Sequence, residues 1–385
     1  MRITSHRCIF VHVPSAALVN HITYKKLNKG LVSVIIPAFN AAHFIRQTLK
    51  SVRAQTYQEI EVIVVDDGST DATCAIVEEF AKKDARFRLV RQCNAGVGAA
   101  RNTAIGEARG KYIAPMDADD LFFPRKLEKQ VACMEEWGSE TGLVYCGTTL
   151  IDEHGDFVRN VHLPTLAGRL RLHSVLHNVV GNASVPLFRA TALEKVGLYL
   201  TRAEQGGVQG CEDWDLVIRI AEHYSIRVVP EYLLAYRETG SSMSVNAEYM
   251  AASFAVVSRR ARERNRDLST SAFRWSAGYF YKYLVGRCDR WEHYFWSFRY
   301  LKKAVCANPL YFLNTWTYKE LLKILLSALT GSTWRKFVKR RRPSPEKNEQ
   351  EDLSSEETKK RLFSFNAIFR TIERRRWNDA LHAGD

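Results

Sequence analysis

The chain has 385 residues, enough for two domains or for one large domain with appendages at roughly 150 residues per domain. Hydrophobic residues make up 46% and charged residues 25%, which excludes wholesale disorder and a collagen-like or coiled-coil composition. Lys and Arg number 56 against 42 Asp and Glu, a net charge of +14 that predicts acidic company: nucleic acid, phosphorylated substrates or an anionic membrane surface.

Residues 1–30 carry five basic side chains and no acidic one, and they read as an extension ahead of the fold. Arg2 and Arg7 before the apolar run 8–19 imitate a signal peptide. His12 and Pro14 interrupt that run and no small-x-small site follows, so a cytoplasmic protein is expected. Residues 32–36 (Val-Ser-Val-Ile-Ile) are an apolar, β-branched run closed by Pro37, the signature of a buried strand. Phe44, Ile45, Leu49 and Val52 then recur at helical spacing as far as Gln55. A second strand over 61–65 is closed by Asp66-Asp67-Gly68-Ser69, and a helix bearing Ile76, Val77 and Phe80 follows. Residues 87–90 give a third strand, 97–108 an Ala-rich helix ended by Gly110, and 111–116 a fourth strand. Pro124 opens a helix that carries Leu127, Val131 and Met134.

Strand and helix alternate four times within about 110 residues, which predicts βαβ units. The fold class is therefore α/β, with a Rossmann-like, mostly parallel sheet flanked by helices. Ligands of such sheets collect at the carboxyl ends of strands. Ala38-Phe39-Asn40, Asp66-Asp67-Gly68-Ser69 and Asp117-Ala118-Asp119-Asp120 all stand there. Further on, strands are expected at 143–146, 185–188, 226–229 and 232–236, with a hairpin turn at 153–156 and a helix over 213–224. From 250 to 338 the chain is aromatic-rich, basic and helical in period. Six of the eight residues 335–342 are Lys or Arg, and 343–360 is a charge-dense linker. The longest apolar stretch, 310–329, is broken by Lys319, Glu320 and Lys323, so no membrane span is expected. The eight cysteines lack C-x-x-C spacing and read as reduced thiols.

Three constellations carry chemistry. Asp117 and Asp119, two apart in an extended segment, project to one side roughly 6.6 Å apart along the chain. Such a pair can hold a divalent cation, or a ribose hydroxyl and a cation together; taken alone, a chance D-x-D in an acidic loop is the better explanation. Magnesium takes one or two protein carboxylates and completes its shell with phosphates and water. In 94–102 (Asn-Ala-Gly-Val-Gly-Ala-Ala-Arg-Asn), small residues lead into a helix. They either admit phosphate oxygens to free N–H groups, with Arg101 as a forked donor, or permit close packing of helix on sheet. No Walker Gly-Lys-Ser/Thr follows, and Arg101 stands where a dinucleotide fingerprint needs its third glycine. Finally, Glu212 and Asp213 open a helix, where acids favour the dipole or one carboxylate is placed to accept a proton.

In order and spacing, residues 32–40, 64–71, Asn94-x-Gly96 with 100–102, 117–120 and 212–216 resemble the family 2 glycosyltransferases over about 31–245. The resemblance implies the GT-A fold, a nucleotide-sugar donor with UDP-sugars favoured, Mn2+ or Mg2+, and inversion at the anomeric carbon. Transfer to an acceptor hydroxyl in cell-surface polysaccharide or glycolipid synthesis would follow. It places Pro37, Ala38 and Asn40 in the nucleoside pocket with Asn94 and Gly96. Asp67 would accept the base N–H while Asp66 orders the loop. Asp117 would contact ribose, Asp119 would ligate the metal, and Arg101 would approach the nucleotide from its helix start. Asp213 would be the general base, with a pKa raised in a partly dry cleft. Residues 236–241 (Tyr-Arg-Glu-Thr-Gly-Ser) resemble the family's Tyr-Arg-x-His-x-x-Ser segment. Thr239 replaces the histidine and leaves Arg237 for a diphosphate contact.

The expected organisation is an extension over 1–30, a GT-A domain over 31–245, a helical basic and aromatic accessory region over 246–338, and a charged tail over 339–385. Trp275, Tyr279, Tyr283, Trp291, Phe295 and Trp296 suit either a helical core or, with the 335–342 cluster, an anionic membrane surface on the inner face of the cell membrane. The partners expected are a nucleotide-sugar donor, a glycan or lipid-linked acceptor, and that membrane. Nucleic-acid binding is disfavoured, because no RNA- or DNA-binding motif accompanies the basic residues. A catalytically inactive scaffold is disfavoured because every donor and base carboxylate is present.

Overall fold

The computed structural model describes residues 28–161, 163–240, 243–290 and 293–330. The expectations placed on 1–27, Trp291, Ser241, the 335–342 cluster and the tail lie outside the described residues. Apolar, β-branched runs form the centre of the sheet: β1 (Asn28–Ala38), β2 (Ile60–Asp66), β3 (Phe87–Arg91) and β4 (Gly110–Pro115). All pairs among them, β1–β2, β1–β4 and β2–β3, are parallel. β1 and β2 are covered on both faces, which is why Val34, Ile35 and Ile36 are fully buried and every residue of β2 is buried rather than every second one.

Beyond β4 the sheet becomes mixed. Its order is β3-β2-β1-β4-β8-β6-β9-β5, with β7 paired to β6. Here β5 is Leu121–Phe122, β6 Thr141–Ile151, β7 Phe157–Asn160, β8 Leu187–Arg189 and β9 Ser225–Arg237. The 153–156 turn joins β6 to β7, with Asp152 N–H donating to Asp156 O at 3.0 Å. The two strands expected at 226–229 and 232–236 are one strand, β9, whose register against β6 shifts between Val229 and Tyr232. Pro230 lies in that irregularity, where a missing N–H is tolerated.

Helices pack where apolar spacing puts them. α1 (Ile45–Arg53) buries Ile45, Leu49 and Val52, and α2 (Thr73–Lys83) buries Val77 and Phe80. α3 (Val97–Glu107) buries Ala100 and Ala104. α4 (Lys126–Glu136) begins two residues after Pro124 and buries Leu127, Val131 and Met134. Short helices α5 (Arg171–Leu176) and α6 (Ala190–Val196) precede α7 (Glu212–His223).

The chain forms two compact units. One holds the whole sheet and takes in 178–243 and 252–261. The other comprises 175–177, 244–251 and the chain from 262. The second unit contains the helices Thr270–Arg290, Tyr294–Ala307 and Thr315–Thr330. Its interior is aromatic: Tyr300 and Tyr311 are buried, and Tyr300 stacks on Tyr281 at 6.0 Å and on Trp296 at 5.9 Å.

Candidate functional site

Parallel register brings the carboxyl ends of β1, β2 and β4 side by side, with Ala38 opposite Asp66 and Ile35 opposite Pro115. Pro37 and Ala38 are buried in β1, and the chain turns at Asn40, the one non-glycine among the described residues with a positive φ (47°). A short polar side chain tolerates that conformation by bonding locally. Asn40 Oδ1 accepts the Thr70 N–H at 2.8 Å, and the Asn40 N–H donates to Ser69 Oγ at 2.9 Å. The ends of β1 and β2 are thereby tied together.

Asp67 is 3% exposed and its carboxylate orders the next loop. Oδ1 accepts from Gln92 Nε2 at 2.7 Å and Ala95 N at 2.8 Å; Oδ2 accepts from Gly96 N at 2.9 Å. Asn94 Nδ2 donates to the Asp67 carbonyl at 3.0 Å. The expectation had given loop ordering to Asp66 and left Asp67 for the base. The structure reverses the first part: Asp66 Oδ2 receives one bond of 3.3 Å from Ser69 N–H, and its buried Oδ1 has no hydrogen-bond partner. Three donors on Asp67 still leave Oδ2 one acceptor position.

The phosphate-cradle reading of 94–102 is corrected by the same contacts. The N–H groups of Ala95 and Gly96 serve Asp67, and that of Val97 meets Gln209 Oε1 at 3.3 Å. A Cβ on Gly98 would collide with the Leu200 carbonyl oxygen. The small residues are there for close packing against 200–209. Arg202, in that segment, donates to Asn94 Oδ1 at 3.1 Å.

Asp117, Asp119 and Asp120 leave β4 in a tight turn. Asp120 is fully buried: Oδ2 accepts from Ser184 Oγ at 2.5 Å and Oδ1 from Arg237 N at 3.0 Å. Ser184 Oγ also accepts the Asp117 N–H at 2.9 Å. Burial, then Asp119 and Asp117, push the Asp120 carboxyl well above its ordinary range. The half-buried Asp119 is pushed up to about 7 by burial and by Asp117, a shift that Arg237 opposes only in part. Among the described residues no three His, Cys, Asp or Glu side chains gather as a metal cluster. Burial beside a like charge leaves Asp119 short of positive charge, which fits a divalent ion held by one or two carboxylates, its other ligands coming from substrate and water.

Arg237, expected at the diphosphate, and Arg101, expected to approach the nucleotide, are both buried and bonded within the protein. Arg237 is fully buried, with Nε donating to Asp119 O at 2.8 Å, Nη1 to Asp152 O and Glu153 O at 3.0 Å each, and Nη2 to Gln47 Oε1 at 2.7 Å. Arg101, on α3, is 2% exposed. Its Nη2 donates to Asp117 Oδ1 at 2.6 Å and its Nη1 to Glu212 Oε1 at 2.8 Å, with the guanidinium 5.2 Å from the Tyr199 ring. Burial alone would lower the Arg101 pKa; Asp117 and Glu212 instead hold it above its ordinary value. A buried charge persists only when paired and bonded in this way.

Asp213 follows Glu212 on the first turn of α7, and its Oδ1 accepts from Trp214 N at 2.7 Å. Burial and the neighbouring Glu212 push it up to about 7, with Arg101 opposing and Asp117 adding to the shift. Arg101 thus links Asp117 and Glu212 directly, and the Asp213 carboxyl feels all three charges. Sequence reasoning missed Ser184, Tyr199, Arg202, Gln209 and the role of Glu212. Only Glu212 stood in a motif; the others come from segments with no motif to mark them.

A family model described as Glycosyl transferase family 2 matches residues 33–196. An uncharacterised glycosyltransferase of Rickettsia typhi is 30% identical over 230 residues, covering 57% of this chain and 70% of the relative. The chain belongs to glycosyl transferase family 2. A second family relative, an uncharacterised glycosyltransferase of Rickettsia conorii, is 32% identical over 58% of this chain and 36% of its own length. The chain spans about a third of the length of the first curated relatives it matches. Among solved structures, the mannosyltransferase PcManGT from Pyrobaculum calidifontis, in complex with GDP-Man and Mn2+, has a TM-score of 0.51 at 20% identity, covering 80% of this chain and 83% of that one. That likeness concerns the fold, and the mixed sheet with its helical C-terminal region is the GT-A class expected of this family.

Proposed function

We propose that this glycosyltransferase moves a sugar from a nucleotide-diphosphate sugar to an acceptor hydroxyl with inversion, and that it works on a glycan or lipid-linked acceptor at the inner face of the cell membrane. The observation that carries the proposal is the Arg101 cluster, which puts Asp117 from the end of β4 and Asp213 from the start of α7 in one electrostatic site. Asp117 is the donor-side carboxylate, for the ribose. Asp213, with Oδ1 on its own helix and Oδ2 without a hydrogen bond among the described residues, accepts the proton of the attacking hydroxyl at Oδ2. A base near pH 7 is matched to that task, and no covalent nucleophile is required for inversion. Asp119, with Asp117 beside it, would hold Mn2+ or Mg2+, whose charge offsets that of the departing diphosphate. The remaining acceptor position on Asp67 Oδ2 suits the ring N–H of uracil, so UDP-sugars are favoured.

The test is a panel of UDP-, GDP- and dTDP-sugars assayed for binding, hydrolysis and transfer with and without Mn2+. Asp119→Ala should lose metal-dependent donor binding. Asp213→Asn should bind donor as the intact protein does and lose transfer by at least ~10²-fold. Donor binding without any Asp213-dependent turnover would favour an inactive scaffold instead.

A further inference from the structure

Arg101 stands where the two halves of the proposed reaction meet. Asp117, bonded to Nη2 at 2.6 Å, is two residues from Asp119 on the donor side. Glu212, bonded to Nη1 at 2.8 Å, is the residue before Asp213 on the acceptor side. Glu212 is itself pinned, because its Oε2 accepts the Gly210 N–H at 2.8 Å. The guanidinium is buried and covered by the Tyr199 ring, so solvent cannot replace either carboxylate. A planar fork with two outward faces can fix the separation of two carboxylates; an ammonium, a point charge on a flexible stem, cannot.

We propose that Arg101 and Glu212 are a positioning pair that holds the donor-side carboxylate Asp117 and the acceptor-side carboxylate Asp213 at one fixed separation. The inference rests on the reading of Asp213 as the base. It assigns no contact with substrate to either member of the pair.

The groups that face Asp213 are Glu212, Arg101 and Asp117, with Tyr199 and Cys211 beside them. Burial pushes the Tyr199 hydroxyl and the Cys211 thiol up, so both stay neutral at working pH. Of the charged neighbours, Glu212 raises the Asp213 pKa and Arg101 lowers it. The two members of the pair therefore act on the base with opposite signs. Charge alone produces these opposite shifts, so the charge-conserving Arg101→Lys variant is the one that reads the fixed separation.

The experiment compares pH–rate profiles of the full chain with those of Glu212→Gln, Arg101→Gln and Arg101→Lys, each checked for a cooperative melt. Glu212→Gln should move the acidic limb to lower pH by about half a unit or more, and Arg101→Gln should move it the other way. Arg101→Lys keeps the charge and loses the fork; its limb should stay in place while kcat falls about 10–100-fold and donor KM rises as Asp117 is released. If Arg101→Gln does not fold, the other two variants still decide. An Asp213-dependent enzyme whose Glu212→Gln limb coincides with that of the intact protein removes the pair alone. An intact chain with no Asp213-dependent turnover removes the reading of the function on which the pair rests.

Discussion

Asp213 and Asp119 are both pushed up to about 7, and burial is the largest cause for each. The consequence for activity differs from the consequence for stability. As a base, Asp213 must be ionised, so kcat/KM for transfer should fall about tenfold per unit below pH 7 and level off above it. A profile whose acidic limb lies near 4, the ordinary carboxylate value, would count against a partly dry site. For stability, a carboxyl whose folded pKa exceeds its unfolded value binds its proton more tightly in the fold. Its contribution is full below about pH 4 and is lost as pH rises through about 7. Asp213→Asn mimics the protonated form, so its gain in Tm over the intact protein should be larger at pH 8 than at pH 5. Equal gains at both values would mean that Asp213 is not strained by its charge.

At the scale of elements, one buried side chain ties β9 to three other parts of the fold. Arg237 ends β9, meets the carbonyl of Asp119 after β4, the carbonyls of Asp152 and Glu153 in the β6–β7 turn, and Gln47 on α1. Arg237→Met leaves those acceptors and the Asp120 carboxylate without their cation and should cost roughly 3–5 kcal/mol in denaturant unfolding. Arg237→Lys should recover only part of this, since one ammonium cannot reach all four sites; a loss under about 1 kcal/mol in the Met variant would rule the staple out. This role was not legible in the chain, because sequence shows a charge and not its burial. The same limit applies to Arg101, placed at the nucleotide by its motif and found between Asp117 and Glu212. What was legible had strong local causes. The runs 32–36 and 61–65 are apolar but for Ser33 and Glu61, which bond each other at 2.6 Å, because β1 and β2 are covered on both faces; the acidic turns follow them where the chain leaves the sheet and its N–H groups need acceptors. The misses had weak or misleading local signals. β5 has two residues and β7 is exposed along its length, so neither shows a pattern, and Pro230 made a single bulged strand read as two.

At the scale of the molecule, the second unit decides how the membrane proposal should be tested. Trp275, Tyr279 and Trp296 are half-buried, and the stack of Tyr281, Tyr300 and Trp296 is capped by Lys303, 5.3 Å from the Tyr281 ring. Those aromatics build a core. Among the described residues the exposed apolar side chains are others, with only Tyr283 and Phe295 shared with the set expected. On the helix 315–330, Thr317, Glu320, Ile324 and Ser327 are buried, while Tyr318, Leu322 and Leu325 on another face are 56%, 57% and 52% exposed. Phe312, 60% exposed, adjoins them through the bond from Tyr318 Oη to its carbonyl at 2.7 Å. Among the described residues no helix is long and apolar enough to cross a bilayer. A stripe spaced i, i+4, i+7 is the form that lies on one. Between 262 and 330 the chain carries 12 Lys and Arg against 5 Asp and Glu, and six basic residues lie within 335–342, so an anionic surface is the complementary one. Each basic side chain near such a surface contributes about 1 kcal/mol, screened within a Debye length of about 8 Å at physiological salt. The chain should therefore sediment with phosphatidylserine-containing vesicles at low salt, less with neutral vesicles, and less again at high salt. Leu322→Glu with Leu325→Glu should weaken sedimentation at every salt concentration, because it removes the apolar part of the contact that salt does not screen. Equal recovery with neutral and anionic vesicles, or an unchanged double variant, would assign that face to another partner.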